Sequence, residues 1–224
     1  PTSGATFTVD NTAPTASITY SASSPYKNGD AAVTITATFN ESILDSPIPT
    51  IAIVGVGISS VSATNMTKTS TTVYTYTYTV PTGDGTATVT LGTGTDAAGN
   101  VVTSTPTSGA TFTVDNTAPS ITSTAKGKNF LKDSFSGLEA GQTVYTITAS
   151  DAVGVDSYAI SGVDASLLSV NASTGVVTLT ANPDYETKSS YTFTVTASDA
   201  AGNTSAATTV TFSITDVLEI GQPY

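Results

Sequence analysis

Cysteine, histidine, arginine and tryptophan are absent from the 224 residues, and methionine occurs once. Without cysteine no disulfide can brace a fold. Without cysteine or histidine there is no thiol nucleophile and no imidazole base. Cations are scarce as well: six lysines face 17 acids, for a formal charge of -11. Such a surface repels phosphate backbones and anionic lipid, so neither a nucleic-acid partner nor direct membrane insertion is expected. No apolar run approaches the roughly 20 residues of a membrane span, and no cationic, apolar leader opens the chain. No Gly-rich phosphate loop follows a strand and opens a helix, and the acids map to turns rather than to a cleft where a glycosidase pair could work. The chain therefore reads as a non-enzyme.

What is present is threonine, 47 residues of it, and a repeat: residues 106–119 copy residues 1–14, PTSGATFTVDNTAP, without a change. A period of this size suits one two-sheet sandwich, so the sequence reads as cut from a tandem array. Residues 1–12 would be the last strand of a preceding unit and a linker, 13–116 one domain, 117–216 a second and 217–224 an outgoing linker.

The fold class is all-β. Residues 32–40 alternate Val33, Ile35, Ala37 and Phe39 with threonines, the period-two pattern of a half-buried strand. Strands are likewise expected at 50–57, 73–80, 86–91 and 110–114, and in the second unit at 142–149, 157–161, 167–170, 176–179, 191–197 and 208–214. Glycines punctuate them. No segment keeps helical periodicity for three turns. Two tandem Greek-key sandwiches follow, the second on a different turn plan from the first.

In such a sandwich the incoming linker, the turn after the second strand and the turn between the last two strands share one pole. That frame gathers Asp10 and Asn11, Glu41 and Asp96 at the upper pole of the first domain. It puts Asp30 and Asp84 at the lower pole, where Asp115 and Asn116 leave. Asp151 and Asp199, with Asp156 beside them, would approach Asp115 and Asn116 from the second unit. Glu139, Asp184, Glu186 and Asp216 gather at its far pole. Crowded carboxylates with no arginine to pair them invite a divalent cation. Ca2+, which takes six to eight oxygens at about 2.3 to 2.6 Å, suits them better than Mg2+. A role confined to the metal predicts that Asp199→Ala or Asp115→Ala lowers melting with calcium and not after chelation.

Tyr74, Tyr76 and Tyr78 alternate with threonines. They could stack on sugar rings, though such residues more often roof a core. Tyr158, Tyr185 and Tyr191 stand the same way in the second unit. Threonine rows such as Thr34, Thr36 and Thr38 read as a solvent face of good β-formers, since twisted sheets do not offer the flat array that ordering ice requires.

At Phe39-Asn40-Glu41, Asp96-Ala97-Ala98-Gly99-Asn100 and Asp115-Asn116-Thr117-Ala118-Pro119 the first unit resembles the bacterial immunoglobulin-like repeats of very large secreted adhesins. The second resembles a cadherin-like module. Asp184-Tyr185-Glu186 matches that family's Asp-x-Glu calcium motif and Ala197-Ser198-Asp199 its later Ala-x-Asp, while Glu139 sits near its early calcium-binding glutamate. The resemblance implies calcium-stiffened extender domains of an RTX-type, type I exported adhesin at a bacterial cell surface, with roles in attachment and biofilm. Its partners would be neighbouring domains of the same adhesin. An alternative makes the cadherin-like unit a binding module for a glycan or for self-association. Two departures stand out: Asp151-Ala152-Val153 lacks the second carboxylate of the family's Asp-x-Asp, and Asp216-Val217-Leu218-Glu219 lacks the full linker set.

Overall fold

The structure is a computed structural model and describes residues 4, 7–127, 130–131 and 138–215. The chain divides into two compact units, Pro1–Asn116 and Thr117–Tyr224.

Eight strands build the first unit: β1 (Ala16–Tyr20), β2 (Val33–Phe39), β3 (Thr50–Gly55), β4 (Val61–Asn65), β5 (Thr67–Lys68), β6 (Val73–Tyr78), β7 (Gly85–Gly92) and β8 (Thr111–Val114). They form two four-stranded sheets, ordered β1-β2-β6-β5 and β4-β3-β7-β8. The alternation in β2 does what it predicts: Val33, Ile35, Ala37 and Phe39 are buried and the threonines between them are not. Opposite them Ile51 and Ile53 of β3, Val89 and Leu91 of β7 and Phe112 of β8 complete one core. Each such side chain contributes roughly 1.5 to 3 kcal/mol by leaving water. Tyr74 and Tyr78 also point inward, their rings edge-on to Phe39 and Phe112 respectively, so both are core residues.

The second unit has β9 (Ser120–Ile121), β10 (Phe130–Leu131), β11 (Thr143–Thr146), β12 (Ala149–Ser150), β13 (Ser157–Ser161), β14 (Leu168–Val170), β15 (Val176–Leu179), β16 (Ser190–Ser198) and β17 (Thr208–Thr215). A 3-10 turn over Ala165–Leu167, absent from the sequence reading, precedes β14. The sheets are ordered β10-β17-β16-β13 and β11-β15-β14, with β9 pairing β12. The single strand expected at 142–149 is divided. Its first half pairs β15 through a register shift between Thr143 and Tyr145, and its second half pairs β9.

Both units split their first strand between sheets. In the first, β1 runs antiparallel to β2, and Tyr26 then bridges Val114 in parallel. In the second, β9 pairs β12, after which Lys126 bridges Thr211 and β10 runs parallel to β17. This switch closes each sandwich at its edge and carries the chain from one end to the other.

Candidate metal centres

At one end of the first unit the incoming segment, the turn after β2 and the long connection from β7 to β8 meet. One carboxylate oxygen each of Asp10, Glu41 and Asp96 lies within 4.8 Å of the other two. The turn at Asp96 explains why. Asp96 N–H donates to Asn100 O (3.1 Å) and Gly99 N–H to Asp96 O (3.2 Å), closing a tight loop that needs glycine at its fourth residue, where φ is +92°. Asp96 Oδ1 accepts from the N–H groups of Ala98 and Asn100, both at 2.9 Å, and Oδ2 from Asn100 Nδ2 at 2.7 Å. The same amide nitrogen reaches Asp10 O at 3.2 Å and fastens the incoming segment to the turn. Asp10 Oδ1 accepts Thr12 N–H at 3.0 Å. Asn11 is exposed.

The electrostatics separate these acids. The Asn100 side-chain amide, together with the turn's N–H groups, outweighs desolvation and holds Asp96 below the ordinary carboxylate range. Glu41 moves the other way. Desolvation, then the charges of Asp10 and Asp96, push its carboxyl up.

Calcium fits this donor set. Two oxygens bound to one Ca2+ at about 2.4 Å lie at most about 4.8 Å apart, and the three carboxylates meet that limit. A carboxylate offers about four lone-pair positions. Asp96 spends three on its turn and Asp10 one, which leaves acceptor capacity on all three acids. The ion pairs Lys68–Asp45 and Lys188–Asp164 are made away from this cluster.

The other end of the first unit is different. Asp30 Oδ2 accepts Lys27 N–H at 2.9 Å and Asp30 N–H returns a bond to Lys27 O, which makes a closed turn. Asp84 Oδ1 accepts Asn116 N–H. Asn116 Oδ1 accepts Asn28 N–H at 2.6 Å, and its amide nitrogen donates to Gly83 O at 2.5 Å. Asp115 N–H donates to Tyr26 O at 2.8 Å. Backbones pack closely here: a Cβ on Gly83, at φ +95°, would sit 2.2 Å from Gly57 O.

In the second unit Asp199-Ala200-Ala201-Gly202-Asn203 rebuilds the Asp96 turn. Asp199 N–H donates to Asn203 O at 3.1 Å, and its carboxylate accepts Asn203 N and Nδ2, both at 2.9 Å. Asp151 stands beside it, with carboxylate oxygens of the two within 4.8 Å. Asp151 Oδ1 accepts the N–H groups of Val153 (2.8 Å) and Gly154 (3.1 Å), so part of its acceptor capacity is spent on its own turn. Asp156 is exposed, and its N–H extends the β13–β16 ladder to Ser198 O.

Glu139, Asp184 and Glu186 are exposed and, among the described residues, belong to no group of three convergent carboxylates. Asp184 caps its own turn, taking Glu186 N–H at 3.1 Å and Thr187 Oγ1 at 2.8 Å. The Thr187 hydroxyl first, then the Glu186 side chain and the turn's N–H groups, lower its carboxyl. Asp216 lies outside the described residues.

Sequence reasoning missed Asp164. It is 6% exposed, takes Thr192 N–H at 2.7 Å and pairs with Lys188 Nζ at 2.7 Å. Burial works to raise its carboxyl, but the Lys188 ammonium and the Thr192 N–H outweigh that and leave it lowered. Lys188 Nζ also lies 5.3 Å from the centroid of Tyr191, whose ring stacks on Phe212 at 4.8 Å. With one face on Phe212 and the ammonium over the ring, Tyr191 offers no platform to a sugar.

Residues 135–215 match the family model described as the cadherin domain. No curated protein matches the chain. Among solved structures, a human protocadherin-24 EC1-2 fragment is similar at 25% identity over 45% of this chain and 46% of that one, with TM-score 0.38. Protocadherin gamma B2 domains 1-5 give 14% identity over 94% of this chain and 42% of that one, with TM-score 0.40. Drosophila N-cadherin EC1-3 gives 15%, 92%, 69% and 0.40. The chain thus spans less than half of the first two structures. From the family match over residues 135–215, the second unit carries a cadherin-like domain.

Proposed function

We propose that the chain is a calcium-stiffened spacer segment of an extracellular adhesin at a bacterial surface, serving attachment and biofilm. The observation that carries this reading is the convergence of Asp10, Glu41 and Asp96. These acids come from a linker and two turns, so an ion held by all three fixes the linker to the sandwich it enters.

The internal repeat extends the reading to the second unit. Asp115 is the copy of Asp10, and Asp199 stands in a copy of the Asp96 turn. Asp115 is therefore assigned to Asp151 and Asp199 as Asp10 is to Glu41 and Asp96. Binding that requires the folded, aligned linker raises stability by mass action and resists bending. The far end of the second unit, where Asp184 is occupied with its own turn, is assigned weak binding at most.

Small-angle scattering in calcium and then in chelator tests the proposal. The maximum dimension and stiffness are expected to fall on chelation, with saturable calcium uptake by calorimetry. An identical, straight profile in both conditions overturns it. The rival reading, a glycan-binding cadherin-like unit, loses Tyr191 as a stacking platform.

A further inference from the structure

Of the ten asparagines in the sequence, Asn28 alone is followed by glycine. Asparagine is a labile residue, because the backbone nitrogen of the next residue can attack its side-chain amide. A side chain on that next residue obstructs the attack, and glycine has none. Asn28 and Gly29 are both exposed, φ of Gly29 is +94°, and a Cβ built there would meet nothing within 4 Å. Among the described residues no hydrogen bond engages Gly29 N–H. The nucleophile is therefore unencumbered and open to water. Asn100 and Asn203, by contrast, precede Val101 and Thr204, and their amides are tied to the Asp96 and Asp199 carboxylates. Asp84-Gly85, which can close the same ring by losing water, is held as well: Gly85 pairs with Val114, and a Cβ there would lie 2.0 Å from Val56 O.

The Asn28 turn holds the last residue of the first unit. Asn28 N–H donates to Asn116 Oδ1 at 2.6 Å, and Asn28 Nδ2 donates to Val80 O at 3.0 Å. The turn is closed by Asp30 N–H to Lys27 O at 3.1 Å and by Lys27 N–H to Asp30 Oδ2 at 2.9 Å.

We propose that Asn28 is a site of spontaneous deamidation, which adds a negative charge to this end of the first unit and releases Asn116. Gly29 N, giving up its proton, attacks Asn28 Cγ. The new C–N bond closes a cyclic imide, and the Cγ–Nδ2 bond breaks with ammonia as the leaving group. Water then adds to one imide carbonyl. Opening at Cγ leaves aspartate; opening at the main-chain carbonyl leaves isoaspartate, whose backbone runs through Cβ and Cγ. Nothing is oxidised or reduced, and no co-reactant beyond water enters. In either product the Nδ2 donor is gone, so Val80 O loses its partner, and a carboxylate stands two residues from Asp30. Isoaspartate also lengthens the main chain inside the Lys27–Asp30 turn. The inference needs no metal and stands apart from the calcium reading.

The test ages the full chain in chelator, in warm and mildly alkaline buffer, with circular dichroism confirming that it stays folded. Peptide mapping and isoaspartyl methylation are expected to find residue 28 reacting at least about tenfold faster than any other asparagine. Hydrogen exchange is then expected to show Asn116 N–H, which donates to Asp84 Oδ1, exchanging about tenfold faster in aged than in fresh protein, with the β2 and β6 amides unchanged. Another asparagine reacting first overturns the site. Reaction at Asn28 with Asn116 exchange unaltered overturns the release. In Asn28→Gln the longer side chain closes the imide poorly, so Asn116 should stay protected through ageing. Loss of that protection in the aged variant would place the cause elsewhere and overturn the proposal. Should the variant not fold, the comparison of fresh with aged unsubstituted chain decides alone.

Discussion

The three convergent acids at one end of the first unit are used differently from Asp30 and Asp84 at the other. At one end Asp10, Glu41 and Asp96 converge, with Glu41 pushed up by desolvation and its neighbours. At the other, Asp30 accepts Lys27 N–H and Asp84 accepts Asn116 N–H. The difference lies in the bonding of each oxygen, for both ends are rich in Asp, Asn and Gly. An acid whose oxygens hold its own turn serves the fold. A metal site needs carboxylates that approach one another and keep capacity to spare. Asp96 does both, because three N–H bonds leave a carboxylate one position.

Asp164 adds a third arrangement, an acid neutralised by a protein cation, and gives the largest expected effect. Asp164→Ala removes the Lys188 pair and the Thr192 bond together and is expected to cost the second unit about 3 kcal/mol in urea unfolding, with or without calcium. The pH dependence has a definite sign. The folded carboxyl lies below its ordinary value of 3.8, so its contribution is complete above that value and is lost as pH falls through the lower, folded one. Asp164→Asn should flatten the acid limb of the stability curve. An unchanged limb would mean that the pair holds nothing.

Asp199→Ala comes next and breaks a simple metal-only view. The sequence suggests that this substitution matters with calcium and not after chelation. The structure corrects that expectation, because the Asp199 carboxylate holds Asn203 through two bonds. A loss of about 2 kcal/mol is therefore expected in chelator, with a further loss of calcium stabilisation on top. Melting in both conditions separates the two contributions.

Most of this was legible where local chemistry decides it. The strands at 33–39 and 190–198 alternate and bury one face, and the Asp96 and Asp199 turns share one pentapeptide. β4 was not, because only Val61 of its five residues is even partly buried and no alternation marks it. The strand expected at 142–149 was read as one because its pattern is continuous, while the switch between sheets depends on partners far along the chain. Asp164 carries no motif; its lysine is 24 residues away and meets it only after the sheet has formed.

The smallest effects sharpen the comparison of the two ends. Asp30→Asn keeps an oxygen for Lys27 N–H and should change stability by less than about 0.5 kcal/mol, equally in calcium and chelator. Glu41→Gln should move the two conditions in opposite directions. The folded protein favours protonated Glu41, so above its raised pKa the ionised carboxylate opposes folding when no cation is bound. Removing that charge relieves Asp10 and Asp96, and the first unit should melt slightly higher in chelator. The same change deletes a charged ligand, so the gain on adding calcium should shrink. A parallel fall in both conditions would make Glu41 an ordinary structural residue and remove the distinction between the ends.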